Sequence, residues 1–360
     1  MDPSIKIGFV LLSRAQCPIP STRIAVLNML PFLRAANFDA HIVFEPHQSN
    51  ESPDVSGLAQ KLSAEQFDIV FFQKVRGASV VALANELRAL GIKTVFGVCD
   101  HVDSPMVEAT DRTIVVTDYL KSLHPIELQA KIHTVHDGIE QPLLQKTEYS
   151  SNIGSRMQPL RVVLVTSVHL DRLPVLDSPP ADFHVDIVGR YAPARERLQR
   201  MREIRWTMAR QNGLRDIRRY AQFLWNPRIS CIAWDARGVY EALQQADIGI
   251  IPIEKDPAKG ALAGWEVKSE NRLTLMMAVG LPVIATPIPA YEPLVQQGNN
   301  AFLANGKAEW LTCLNTLKDP DLRRSVGQAA RRTAIDKYSQ TRQAEKLIVV
   351  LRSLLQSHKV

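Results

Sequence analysis

Lys268, Asn271 and Arg272 fall within five residues of one another in "EVKSENRLTLMMAVGLPVIATPIPAYE", residues 266 to 292. Two cations and an amide so spaced can hold a phosphate or diphosphate if they stand at the start of a helix. The apolar run that follows, ended by Gly280, predicts a helix over 271–279 with Ser269 as candidate N-cap. A helix N-terminus already carries unpaired N–H groups and partial positive charge. Two added cations oppose that dipole, at about 0.3–1 kcal/mol each, unless an anion lies between them. The competing reading is a solvated first turn with both cations in water.

A second set lies in "CDHVDSP", where Asp100, His101 and Asp103 follow the strand-like run "KTVFGVC". Parallel sheets present ligand groups at the carboxyl ends of their strands, so these residues are candidates for contacts to a hydroxylic substrate. His101 would stand near the reacting centre, with Asp100 and Asp103 to orient it. Against this stands an Asx-turn or helix N-cap made by one of the aspartates. A metal site here is disfavoured, and none is expected elsewhere. His133 and His136 in "HTVHDG" would alternate across a strand, and Asp137-Gly138 reads as a turn.

Short β-rich runs must position these groups. "KIGFVLL", "DAHIVFE", "FDIVFFQ", "KTVFGVC", "RTIVVT" and "KIHTVH" alternate with helical patterns such as "TRIAVLNMLPFLRAA" and "ASVVALANELRALG", the latter closed by Gly91. A second series, "LRVVLVTS", "FHVDIVG", "ISCIAW", "DIGIIPI", "LPVIAT" and "AFLA", precedes a helical end. Between them, "LLQKTEYSSNIGSRMQP" loses apolar periodicity and reads as a linker. The predicted class is α/β, with two Rossmann-like doubly wound domains facing across a cleft. The expected division is 1–150, 151–340 and a C-terminal helix over 341–360 packing back on the first domain.

Composition agrees with a globular chain: 360 residues, 46% hydrophobic and 22% charged. The length favours two domains, since single cores stop growing near ~250–300 residues. Four cysteines without a C-x-x-C pair argue against a disulfide framework or zinc site and suit a reducing compartment. Residues 273–290 carry no charge, but Gly280 and three prolines break them, which argues against a membrane span. The expected location is cytoplasmic, with inner-face membrane association as a further candidate.

Residues 1–150 carry 13 Lys/Arg against 17 Asp/Glu, a net of −4, and the remainder 30 against 20, a net of +10. Residues 190–220 alone hold ten Arg and three acids. They read as a solvated helix pair or as a peripheral contact with an anionic membrane or lipid-linked acceptor. Trp225, Trp234 and Trp265 read as packing residues, and no nucleic-acid-binding module is present.

The order of motifs from residue 240 to 340 resembles the donor half of glycosyltransferase-B enzymes, in particular the family 4-like ("group 1") glycosyltransferases. The residues carrying this are "LQQADIGIIPI", Asn271-Arg272-Leu273, Ala278 to Thr286, Tyr291-Glu292, Gly298 to Leu303 and "DPDLRRSVGQAARRTAIDKYS". "VHDGIEQP" adds a match at the close of the first half, and residues 60–142 match loosely.

The resemblance implies transfer of a sugar from a nucleoside-diphosphate-sugar to a saccharide or lipid-linked acceptor in surface polysaccharide or glycolipid synthesis. A retaining outcome and no cofactor beyond the co-substrate follow from it. Glu266, Lys268, Ser269, Asn271, Arg272 and Thr274 are then the candidate donor contacts. Arg14, Ser21, Arg23 and Asp103 are the candidate acceptor contacts. Asp100, His101, Lys268 and Arg272 are the candidate catalytic groups, the two cations neutralising the leaving diphosphate.

Three departures stand out. Leu275 occupies the position where many such enzymes carry a ribose-binding Glu. "SRAQCPIPSTR" replaces the Gly-rich loop after the first strand, and no Gly-rich loop follows "LRVVLVTS". A nucleotide-sugar epimerase on the same fold and a non-catalytic sugar- or partner-binding protein therefore stand as alternatives.

Overall fold

A computed structural model describes residues 4–166, 179–189, 226–253, 255 and 264–356. Each of the twelve apolar runs read from the sequence overlaps one of the twelve strands among the described residues. β1 (Ile5–Val10), β2 (Phe38–Phe44), β3 (Ile69–Gln73), β4 (Lys93–Val98), β5 (Arg112–Val115) and β6 (Ile132–Thr134) form one sheet, ordered β2-β1-β3-β4-β5-β6. β7 (Leu160–Val165), β8 (Phe183–Gly189), β9 (Ile229–Ala233), β10 (Ile248–Ile251), β11 (Val283–Ala285) and β12 (Phe302–Leu303) form the other, ordered β12-β11-β10-β7-β8-β9. Every pairing is parallel.

The chain divides into two compact units. One comprises Met1–Glu140, Glu266–Asn271 and Lys337–Val360; the other comprises Gln141–Trp265 and Arg272–Asp336.

In the first unit both sheet faces are covered, which is why its strands read as continuous apolar runs rather than alternating ones. Ile7, Phe9, Leu11, Ile69 and Phe71 point to one face, and Val10, Leu12, Val70 and Phe72 to the other. The helix Gln340–Gln356 closes the first of these faces with Ala344, Leu347, Val350, Leu351 and Leu354, spaced three and four apart. Gly97 in β4 has no room for a side chain, since a Cβ there would lie 2.6 Å from the Phe71 ring.

The first-half segment expected as one helix, "TRIAVLNMLPFLRAA", is broken in two. A π-turn over Arg23–Leu27 precedes a separate helix, Leu30–Ala35. Pro31 lacks an N–H and its ring crowds the carbonyl four residues back, so an uninterrupted α-helix is unavailable there.

In the second unit the helix Asn271–Val279 buries Leu273, Met276, Met277 and Val279. Gly249 in β10 lets Met276 approach, because a Cβ there would meet its sulfur at 2.9 Å. The helix ends in a Schellman motif: Leu281 N–H donates to the Met276 carbonyl and Gly280 N–H to that of Met277, with Gly280 at φ +95°.

The apparent linker after residue 142 is pinned to this unit. Lys146 N–H donates to the Val279 carbonyl at 2.7 Å, and the Tyr149 hydroxyl to that of Gly280 at 2.8 Å. The buried Arg323 guanidinium donates to the carbonyls of Ser150 and Asn152.

Candidate functional site

In the first unit, strand order reverses between β1 and β3, and loops at such a switch point are where doubly wound sheets bind ligands. A buried hydroxyl–amide network sets the loop after β1. Ser13 Oγ donates to Thr22 Oγ1 at 2.8 Å, Thr22 Oγ1 donates to Gln73 Oε1 at 2.9 Å, and the Leu12 N–H reaches the same oxygen at 3.1 Å. Arg14 is exposed and Ser21 half-buried on this loop. Arg23 forms a forked pair with Glu140, Nε to Oε1 at 2.6 Å and Nη2 to Oε2 at 3.0 Å, which Asn28 joins. That fork positions the chain after β6, so its guanidinium is committed within the unit.

The loops after β3 and β4 hold a dense charge network. Lys74 sits at φ +58°, a left-handed conformation uncommon for a long side chain and most frequent at functional sites. Its ammonium lies 2.8 Å from Asp100 and 3.5 Å from Glu51. Burial pulls the Lys74 ammonium down, but Cys99, Asp100 and Glu51 outweigh it and hold it above its ordinary value. Arg76 pairs with Glu51 at 2.6 Å, touches His101 Nε2 and lies 3.7 Å from Asp103.

Asp103 also does what the blander reading expected: its carboxylate accepts from the Met106 N–H at 3.0 Å and caps the helix Ser104–Ala109. Burial and the neighbouring Asp100 push the Cys99 thiol well up. Asp100, His101 and Asp103 are thus gathered at one carboxyl end, with Glu51, Lys74 and Arg76 added to them. Those three went unassigned from the sequence, although "QKVRG" places two cations directly after a strand.

A second cluster joins the segment Glu266–Asn271 to the end of β6. Ser269 lies two residues before the helix rather than at its cap, and its hydroxyl donates to Asp137 Oδ2 at 3.0 Å. Glu270 is 1% exposed. His136 Nδ1 is 2.6 Å from Glu270 Oε1 and 2.9 Å from the Val116 carbonyl. One N–H serves only one of them, and the carbonyl has the hydrogen-bonding geometry, so neither Glu270 oxygen accepts a bond. Burial, then the charge of Glu270, raise the Asp137 carboxyl to about 7. Asp137-Gly138, read as a structural turn, therefore also carries an ionisable group poised near neutrality.

Of the remaining donor candidates, Glu266, Lys268 and Asn271 lie in this same segment. In the second unit, Arg272 is half-buried and Thr274 is 1% exposed on the helix. The second sheet reverses order between β7 and β10, and the loops after those strands lie mostly outside the described residues. The Arg-rich run 190–220 lies outside them entirely. Among the described residues there is no group of three or more His, Cys, Asp or Glu arranged for a metal ion. No helix among them is long and apolar enough to cross a membrane.

The comparisons agree with this architecture. Residues 175–348 match a family model described as glycosyl transferase-like. No curated protein matches by sequence. A glycosyltransferase from Rickettsia africae superposes with a TM-score of 0.69 at 13% identity, over 98% of this chain and 99% of that one. HepE from Anabaena, solved with UDP and glucose, superposes at 0.65 with 13% identity, over 97% and 100%. Sucrose-phosphate synthase from Thermosynechococcus elongatus superposes at 0.65 with 12% identity, over 98% and 100%. The chain thus has the glycosyltransferase-B fold, and its residues 175–348 resemble the glycosyl transferase-like family.

Proposed function

We propose that this protein transfers a sugar from a nucleoside-diphosphate-sugar to a hydroxyl of a saccharide or lipid-linked acceptor, with retention, in surface polysaccharide or glycolipid assembly. The observation carrying the reading is the glycosyl transferase-like match over residues 175–348, which includes Lys268 just before a helix and Asn271 and Arg272 in its first turn. In this reading Lys268 and Arg272 balance charge developing on the leaving diphosphate, and Asn271 and Ser269 add neutral contacts. The network of Lys74, Asp100, His101 and Asp103 serves the acceptor hydroxyl and the reacting centre. HepE was solved with UDP and with UDP-glucose, so uridine diphosphate is the first donor fragment to try.

Losing one charge-assisted contact costs about 1.5–3 kcal/mol, roughly 10- to 150-fold in affinity. Titration of UDP into the wild type, Lys268→Ala and Arg272→Ala should show that weakening in both variants. Unchanged affinity in both removes the diphosphate assignment. Donor consumed only with acceptor supports transfer. Donor converted without acceptor supports an epimerase, and binding without turnover a non-catalytic protein, the outcome that Leu275 in place of a Glu would favour.

The reading extends to a peripheral membrane contact through residues 190–220, on their ten Arg against three acids. Sedimentation with vesicles of phosphatidylglycerol should fall steeply as salt rises. No binding at low salt removes this part.

A further inference from the structure

The segment Glu266–Asn271 belongs to the first unit although the chain on either side of it belongs to the second. What holds it there is unusual. Val267 joins the first unit's apolar core, Ser269 donates to Asp137, and Glu270 is buried against His136. A half-buried carboxylate, Asp137, and a buried one, Glu270, therefore meet here, and Glu270 accepts no hydrogen bond. A buried carboxylate without donors is costly, and a second charge beside it costs more. Glu270 also stands directly before the helix Asn271–Val279, where the dipole favours one negative charge.

We propose that Asp137 is a proton-operated latch for residues 266–271. Carrying a proton, it accommodates Ser269 and buried Glu270 at the end of β6. Ionised, it sets a second carboxylate charge against Glu270 and loosens the segment that bears Lys268 and Asn271. The consequence for nucleotide binding rests on the reading given under Proposed function; the latch itself does not.

The groups facing Asp137 are few. Ser269 and Glu270 come from the segment, His136 and Glu140 from the chain after β6, and Cys99 from the end of β4. Tyr338, pushed up by burial and Glu270, stacks edge-on against His136 at 5.0 Å, with Asp118 nearby. His136 is the one neighbour whose charge would favour an ionised Asp137, and Glu140 is already held by Arg23 and Asn28.

The sign follows from linkage. Asp137 is raised from the ordinary carboxylate range to about 7 in the folded chain. The native state therefore binds the extra proton between about pH 4 and pH 7, and its contribution to stability declines across that window as pH rises.

Hydrogen exchange of the peptide covering 266–271, followed by mass spectrometry on the full nucleotide-free chain at pH 4 and pH 8.5, tests this. Comparison at equal pH with Asp137→Asn cancels the intrinsic chemistry. Wild type and variant should be almost equally protected at pH 4, below the linkage window. At pH 8.5 the wild-type segment should open about tenfold or more often, within the roughly 10³-fold ceiling that linkage allows. Glu270→Gln, which removes the repelling charge, should shrink the step and serves if Asp137→Asn folds poorly. A wild-type segment equally protected relative to Asp137→Asn at both pH values overturns the latch, as does a step that Glu270→Gln leaves undiminished. UDP affinity is read separately: a pH step in exchange without any UDP binding overturns the donor reading and leaves the latch standing.

Discussion

His101 is the residue on which the chemical reading most depends, because it lies beside both carboxylates and cations at the end of β4. Its ring meets Arg76, which Glu51 holds, while Lys74 holds Asp100. The imidazole is therefore oriented from one side by a fixed cation and is free to act only from the other. His101→Ala is expected to cut turnover by about 10²-fold while leaving the melting temperature and UDP affinity unchanged. A loss of turnover that merely follows a fall in melting temperature makes His101 a packing residue. At this scale the sequence was half legible. The Asp–His–Asp run after a strand was visible, but Lys74 and Glu51 were not, because the pairs Lys74–Asp100 and Arg76–Glu51 span 26 and 25 residues and leave no local pattern. Glu270 left no sign of its place in the sequence, since burial against His136 is a tertiary fact.

At the scale of elements, strands were the most legible feature. Sheets covered on both faces demand apolar residues at consecutive positions, so every strand in both sheets announced itself as a run. Breaks and attachments were less legible. Pro31 hinted at the divided helix, but the π-turn before it depends on packing. Low apolar periodicity after residue 142 suggested a free linker, whereas Lys146, Tyr149 and Arg323 fasten it through backbone carbonyls, which carry no sequence signature. This attachment also guards the end of the helix Asn271–Val279. Gly280→Ala should cost about 1–2 kcal/mol, because φ is +95° and the new methyl would sit 3.0 Å from the Tyr149 hydroxyl. Tyr149→Phe should cost about 0.5–1.5 kcal/mol by leaving the Gly280 carbonyl without its donor. Urea unfolding reads both, and a Gly280→Ala variant as stable as the wild type would show that another contact ends the helix.

For the whole molecule, the informative fact is that the first unit is assembled from three stretches of chain. Its outer face is closed by the helix Gln340–Gln356, whose Leu347, Leu351 and Leu354 are nearly inaccessible. Each such side chain contributes about 1.5–3 kcal/mol on burial, so several together rival the 5–15 kcal/mol that typically separates a folded domain from its unfolded chain. A fragment of residues 1–140 also lacks 266–271, and with them the partners of His136 and Asp137. That fragment should show no cooperative thermal transition and should bind a hydrophobic dye through the bare face of β1 and β3. Joining residues 337–360 to it through a flexible linker should restore a cooperative melt, because the returned helix covers Ile7, Phe9 and Ile69 again. Cooperative melting of residues 1–140 alone would show that the sheet is self-sufficient, and that the C-terminal helix adds to a core already complete.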